Sequence, residues 1–278
     1  MSKPDAYIEI KPTASLFNFR IGELIQYRYL LFLFVRRDFI TIYKQTILGP
    51  LWHILQPLVT TLIFTAVFGL FARIPHDGIP PVLFYLSGMI MWAYFAACLN
   101  KTSATFLSNA SIFGKVYFPR ITVPLASVIS SLLSFCIQLI LLAIIAFIYR
   151  NSISVQPTLL LLPVFVVLVA AIGFGFGIIV SSLTTKYRDL SYAMTFGVQL
   201  WMYATPVIYP LSIVPAKFRI ISKLNPLTSI IEGFRYSITG KGTFLWHNFI
   251  YTVVFALVIV FVGMVLFNRT ERDFMDTV

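Results

Sequence analysis

Six apolar stretches, at residues 51–72, 82–100, 121–149, 157–185, 190–209 and 246–268, run along this chain without a single Asp, Glu, Lys or Arg inside them. A hydrocarbon core about 30 Å thick takes about 20 helical residues to cross, and these stretches hold 19 to 29. Lipid offers backbone amides no partner, so only helices or a closed barrel can span; continuous rather than alternating apolar runs select helices. The pattern predicts an all-α polytopic membrane protein with six transmembrane helices.

Three segments depart from that pattern. Between residues 20 and 46, Ile21, Leu24, Ile25, Leu31, Phe32, Val35, Phe39 and Ile42 recur at helical spacing among Arg28, Arg36, Arg37 and Lys44. This reads as a basic amphipathic helix on the membrane interface, serving as an anchor or as a docking element. Gly49-Pro50 then punctuates the chain, so residues 1–50 form a tail and interface helix, 51–268 the transmembrane domain and 269–278 a second tail.

The loop at 102–114 is small, polar and longer than a connection needs, which fits a short helix with a second docking surface, or an inert loop. After the fifth stretch, Pro206, Pro210, Pro215 and Pro226 divide apolar pieces too short to cross. Region 206–240 is expected to dip into the membrane and return, the other reading being a loop lying flat outside. Broken backbone at membrane depth needs protein or water beside it, so a re-entrant segment implies a gate near the external face. Glu232 and Arg235, three apart, can pair on one helical face as a structural pair or as a substrate contact.

Composition agrees: 59% hydrophobic, 11% charged, mean hydropathy +0.88, where a soluble domain carries about 25% charge. Of 21 basic residues, 14 fall on the side of the N-terminus and seven on the other. The basic side is therefore expected to be cytoplasmic, and an even number of spans puts both termini there. The net charge of +11 borders spans instead of forming one cluster, which argues against a nucleic-acid partner. Residues 1–20 lack the pattern of a secretory signal and are expected to be retained. Cys98 and Cys136 lie within spans and read as packing residues, not as a disulfide or metal framework.

Catalytic chemistry is missing. No carboxylate falls in a span, histidine occurs only at 53, 76 and 247, and there is no GxSxG or HExxH, so neither a catalytic nor a metal site is expected. Without a GxxxxGK[ST] loop the chain is expected to hold no cofactor, any ATP being bound by a partner subunit. Trp92, Tyr94, Trp201 and Tyr203 fall at mid-span depth, where lipid cannot satisfy an indole N–H or phenol O–H. They line a channel or they fill helix contacts.

Three passages resemble one family. The first is Arg37-Asp38-Phe39 with Tyr43-Lys44-Gln45-Thr46-Ile47-Leu48-Gly49-Pro50-Leu51-Trp52 and Gln56-Pro57. The second runs from Asn109-Ala110 through Lys115-Val116-Tyr117-Phe118-Pro119-Arg120 to Pro124. The third holds Lys186-Tyr187-Arg188-Asp189-Leu190, Thr205-Pro206-Val207-Ile208-Tyr209-Pro210, Asn225-Pro226-Leu227 and Glu232-Gly233-Phe234-Arg235. Together they resemble the transmembrane subunit of ATP-binding-cassette exporters that move lipid-linked O-antigen, capsular polysaccharide or teichoic acid.

The resemblance implies a homodimer in the cytoplasmic (inner) membrane, enclosing a channel for a polyprenyl-pyrophosphate-linked polysaccharide, O-antigen first among the cargoes. Two copies of a separate ATPase subunit would drive it. On it, Ser103, Asn109, Ser111 and Lys115 would belong to the cytoplasmic coupling helix. Arg36, Arg37 and Arg188 would stand at the substrate entrance, as pyrophosphate contacts or as anchors to anionic lipid heads. Pro206, Pro210, Asn225, Pro226, Glu232 and Arg235 would form the external gate. The competing readings are an exporter of the same architecture for a small lipid or drug, a membrane-embedded glycan-processing enzyme, and a passive channel or scaffold.

Overall fold

The computed structural model describes residues 21–44, 49–113, 115–116, 118–242 and 244–277. The N-terminal tail, residues 45–48 of the first motif, and Tyr117 of the second lie outside these. Among the described residues there is no strand, and five helices are long and apolar enough to cross a membrane: Trp52–Phe71, Pro81–Ser103, Thr122–Ile148, Pro157–Thr184 and Trp246–Glu271.

In chain order, α1 (Ile21–Gln26) and α2 (Arg28–Tyr43) precede α3 (Trp52–Phe64), which continues as a π-helical stretch over Thr65–Phe71. Then come α4 (Pro81–Ser103), α5 (Thr105–Phe113), α6 (Thr122–Ile148) and α7 (Leu162–Thr184), the last opened by a 3-10 turn at Pro157–Leu161. The chain closes with α8 (Leu190–Ala204), α9 (Ala216–Leu224), α10 (Pro226–Thr239) and α11 (Trp246–Thr277).

The expected fifth span is the one that differs. The stretch at 190–209 yields a helix of only 15 residues, about 22 Å long at 1.5 Å per residue. Its stop is local: Thr205 turns extended, at φ −105° and ψ 143°, because the ring of Pro206 disfavours helical geometry in the residue before it.

α4 is the central pillar, packed against α3, α6, α7, α8 and α10. Its close approach to α7 rests on Gly173 and Gly177, one turn apart. A Cβ on Gly173 would sit 2.8 Å from Cys98 Cβ and 3.0 Å from Phe95 O, and one on Gly177 would overlap Thr102 Oγ1. Hydrophobic burial gains nothing between helices already in lipid, so small residues that bring backbones close do the holding.

Two aromatic-rich cores stand at the two ends of the bundle. At one end Phe106 stacks on Phe267 at 4.7 Å and Phe34 meets Phe118 at 5.7 Å. At the other, Phe165 meets Phe249 at 5.6 Å and Phe64 meets Tyr85 at 6.2 Å. The described N-terminal helices, α5 and the region of Glu271 share the first end, called here the basic end; α9 and α10 share the second.

The N-terminal segment is helical but not cleanly two-sided. Leu24, Tyr27, Leu30, Leu31, Phe34 and Val35 pack on the start of α6. Ile25, Tyr29, Phe32 and Leu33 nevertheless point outward beside Arg28 and Arg36.

Candidate functional site

At the end opposite the basic one, Pro206, Pro210, Asn225, Pro226, Glu232 and Arg235 converge. Asn225 caps α10, its side-chain oxygen accepting from Leu227 N at 3.1 Å, and Pro226 takes the first helical position, where a missing N–H costs nothing. The other end of the Asn225 amide donates to Thr205 Oγ1 at 2.8 Å, tying α10 to the terminus of α8.

Arg235, 1% exposed, organises the rest. Its guanidinium donates to Pro206 O and Val207 O, each at 2.6 Å, to Phe84 O at 3.3 Å and to Glu232 Oε1 at 3.2 Å. It also lies 3.8 Å from the centroid of the Phe84 ring. A planar five-donor fork is the side chain that can serve four acceptors and a ring face together. Between the two readings of the Glu232–Arg235 pair, the geometry supports the structural one: both groups are spent inside the protein, fastening the turn at 205–207 to α4 and α10.

Room for the guanidinium comes from Gly88 on α4. A Cβ there would meet Arg235 Nη2 and lie 3.0 Å from Val207 O. The loop between the first two long helices closes over the same assembly. Asp77 accepts from Ser212 Oγ at 2.7 Å, Lys241 Nζ donates to Gly78 O, and His76 Nε2 meets Tyr85 Oη at 3.0 Å. Partial burial lowers the His76 pKa below its ordinary value, and the Arg235 charge adds to the shift while Asp77 opposes it.

The basic end is built around α5. That helix kinks at Asn109, at φ −120° and ψ 15°, where the side-chain amide donates to Thr105 O at 3.0 Å. An Asn bonding its own backbone competes with the helix ladder in this way. Ser111 and Lys115 are exposed, Asn109 is half-buried, and Ser103 is buried in the last turn of α4, donating to Asn100 O. Arg120, 3% exposed, reaches Glu271 O at 3.2 Å and lies over the Phe113 ring at 5.3 Å. It joins the end of α5 to α11.

Arg36, Arg37 and Arg188 are all exposed at this end. Arg37 pairs with Asp38 at 2.8 Å, and Asp38 also accepts from Ser130 Oγ at 3.3 Å on α6. Arg188 stands apart, in the turn between α7 and α8.

The four mid-span aromatics separate. Trp92 and Tyr94 are buried, against Phe95 at 5.2 Å and Phe135 at 4.8 Å. Trp201 is half-buried, edge-on to Phe95 and Phe176. Tyr203 is 59% exposed. The first three fill helix contacts, and only Tyr203 presents its ring outward.

Sequence reasoning missed Gly88, Phe84 and Asp77, and quoted Arg120 within a motif without giving it a role. Gly88 carried a signal: a lone glycine inside a helical run costs about 1 kcal/mol against alanine and so asks for a packing reason. The carbonyls of Phe84, Pro206 and Val207 carried none, since every residue has one.

Residues 29–239 match the family described as ABC-2 type transporter. Among similar proteins, the O-antigen export system permease protein RfbA of Klebsiella pneumoniae is 31% identical over 251 residues, 89% of this chain and 94% of its own. The RfbA protein of Myxococcus xanthus is 27% identical over 220 residues, 77% of this chain and 82% of its own. The polysialic acid transport protein KpsM of Escherichia coli is 23% identical over 244 residues, 87% of this chain and 93% of its own. With more than half of its residues inside the family match and one relative above 30% identity along most of both chains, this chain belongs to the ABC-2 type transporter family and is a membrane permease subunit.

Proposed function

We propose that this permease exports a polyprenyl-pyrophosphate-linked polysaccharide of the O-antigen type as a homodimer driven by two copies of a separate ATPase. The observation that carries the proposal is the outer face of α8. Tyr192, Phe196, Leu200 and Tyr203 form one exposed stripe, Thr195 and Gln199 are exposed beside it, and Val198 is the buried residue of the helix. A Gln amide exposed at membrane depth is costly against lipid, so this face suits a polar path shared with a second copy. Flat aromatic faces set among amides and hydroxyls suit sugar rings. The relatives at 31% and 27% identity, both O-antigen export permeases by name, support the same cargo.

On this reading α8, lengthened by residues 205–209, is the fifth of six spans, and the basic end is cytoplasmic. α1 and α2 lie at that interface, Ser111, Lys115 and the kinked α5 receive the ATPase stroke, and Arg36, Arg37 and Arg188 meet the pyrophosphate. The assembly around Arg235 forms a rigid external gate at the mouth of the path, with α9 and α10 re-entering the membrane.

Reconstituted with its ATPase, the permease should move lipid-linked glycan only with ATP. Gln199→Leu together with Tyr203→Ala should slow transport while dimer assembly is kept. Arg36→Ala with Arg188→Ala should weaken cargo-stimulated ATP hydrolysis. Transport without the ATPase, or unchanged transport in both double variants, would overturn the proposal.

A further inference from the structure

The end that carries α10 also holds a lateral cavity that neither the gate nor the path uses. It measures about 470 Å³ and lies between the last turns of α6, the 153–162 segment and Ile238 of α10. Leu142, Ala143, Ala146, Phe147 and Leu159 line it, and Arg150 is the one charged residue on its wall. Volume and lining fall in the range of small-ligand sites, which are mostly apolar with a few polar groups fixing orientation.

Charge and length together select an occupant. Arg150 is exposed and rests on the Phe147 ring at 5.0 Å. No acidic residue occurs in the chain between Asp77 and Asp189. At the same end Glu232 is spent on Arg235 and Asp77 on Ser212, so no carboxylate pairs with Arg150 among the described residues. From Arg150 to Leu139, the deepest α6 residue of the lining, is eleven residues, about 16 Å of helix. That is close to one leaflet's share, about 15 Å, of the hydrocarbon core. A cation at the interface above an apolar groove one leaflet deep fits a phosphate with an acyl chain beneath it; a sugar would find too few polar groups, and a long polyprenyl tail would overrun the groove.

We infer that this groove binds an anionic glycerophospholipid of the surrounding leaflet, with one acyl chain along α6 and its phosphate on Arg150. The site stands on the membrane-embedded fold and is independent of the cargo proposed above.

The test is native mass spectrometry of the co-purified permease–ATPase assembly, delipidated and titrated with phosphatidylglycerol or phosphatidylcholine. Wild type should hold its tightest lipid about fivefold more strongly when it is phosphatidylglycerol, the equivalent of about 1 kcal/mol for one cation near anionic heads. Arg150→Gln should lose that preference and still bind either lipid. Ala143→Phe, which fills the groove from an exposed position, should lose the tight lipid altogether, while the assembly stays intact in both variants. Equal affinity of wild type for the two lipids, or unchanged binding in both variants, would overturn the inference. Displacement of phosphatidylglycerol by equimolar polyprenyl phosphate would overturn it too, reassigning the groove to cargo; failure of glycan transport leaves all of these readouts unaffected.

Discussion

Arg235→Met tests most directly whether the assembly around residues 205–207 is held by one side chain. The substitution keeps much of the volume but removes a guanidinium that serves three backbone carbonyls and Glu232. Glu232, 5% exposed, would then be a buried carboxylate without its partner. Breaking a buried pair from one side costs about 3–5 kcal/mol. The freed carbonyls of Pro206 and Val207 add to that, since an orphaned buried acceptor costs about 1–3 kcal/mol. Partial relaxation keeps the sum near the first figure, about 4 kcal/mol, which for a chain of this size lowers the melting temperature by about 10 °C. Arg235→Lys should fall between: an ammonium keeps the charge but cannot reach carbonyls on two sides or stack on Phe84, for a loss of about 2 kcal/mol. Pairing Arg235→Met with Glu232→Gln removes the stranded charge, so the double variant should be about 2 kcal/mol more stable than the two single effects added. Thermal unfolding of the purified assembly, followed by the fluorescence of its tryptophans, reads all four. A wild-type melting temperature in Arg235→Met, or strict additivity in the cycle, would refute the argument that the charge is buried and spent.

Three further outcomes follow from the same structure. Gly177→Leu should separate α4 from α7, because even a Cβ overlaps Thr102 Oγ1 there; overpacking costs about 1–3 kcal/mol, and protease resistance of the membrane fraction should fall with it. His76 has its pKa lowered by folding, chiefly by burial. Stability should therefore be level above the unfolded value, about pH 6.5, and fall as pH drops below it, with the slope abolished in His76→Gln when melting is followed across pH. Arg120→Gln should raise the ATP hydrolysed per glycan moved without changing the amount of assembled complex, since it loosens α5 from α11; unchanged coupling would make Arg120 merely a packing residue.

The order and class of the helices were legible in the sequence because the bilayer imposes a length and an apolarity that single runs display. Four of the five long apolar helices begin and end within three residues of their charge-free stretches, while the last continues past its stretch to Thr277. The absence of a nucleotide loop and the excess of basic residues were likewise properties of the string. The helical character of 21–43 and 105–113 could be read from spacing and composition, but not their faces: apolar residues lie on both sides of α2, and Ser103 points into the protein.

What tertiary structure alone decided is which polar groups meet. Arg235 reaches carbonyls 28, 29 and 151 positions away, and a carbonyl has no signature in sequence. The same holds for the aromatics. Trp92 and Tyr203 look alike as mid-span residues, yet one is 5% and the other 59% exposed, because α4 is covered by its neighbours and α8 is not. Hydropathy records how apolar a segment is; only packing settles what each residue has on its other side.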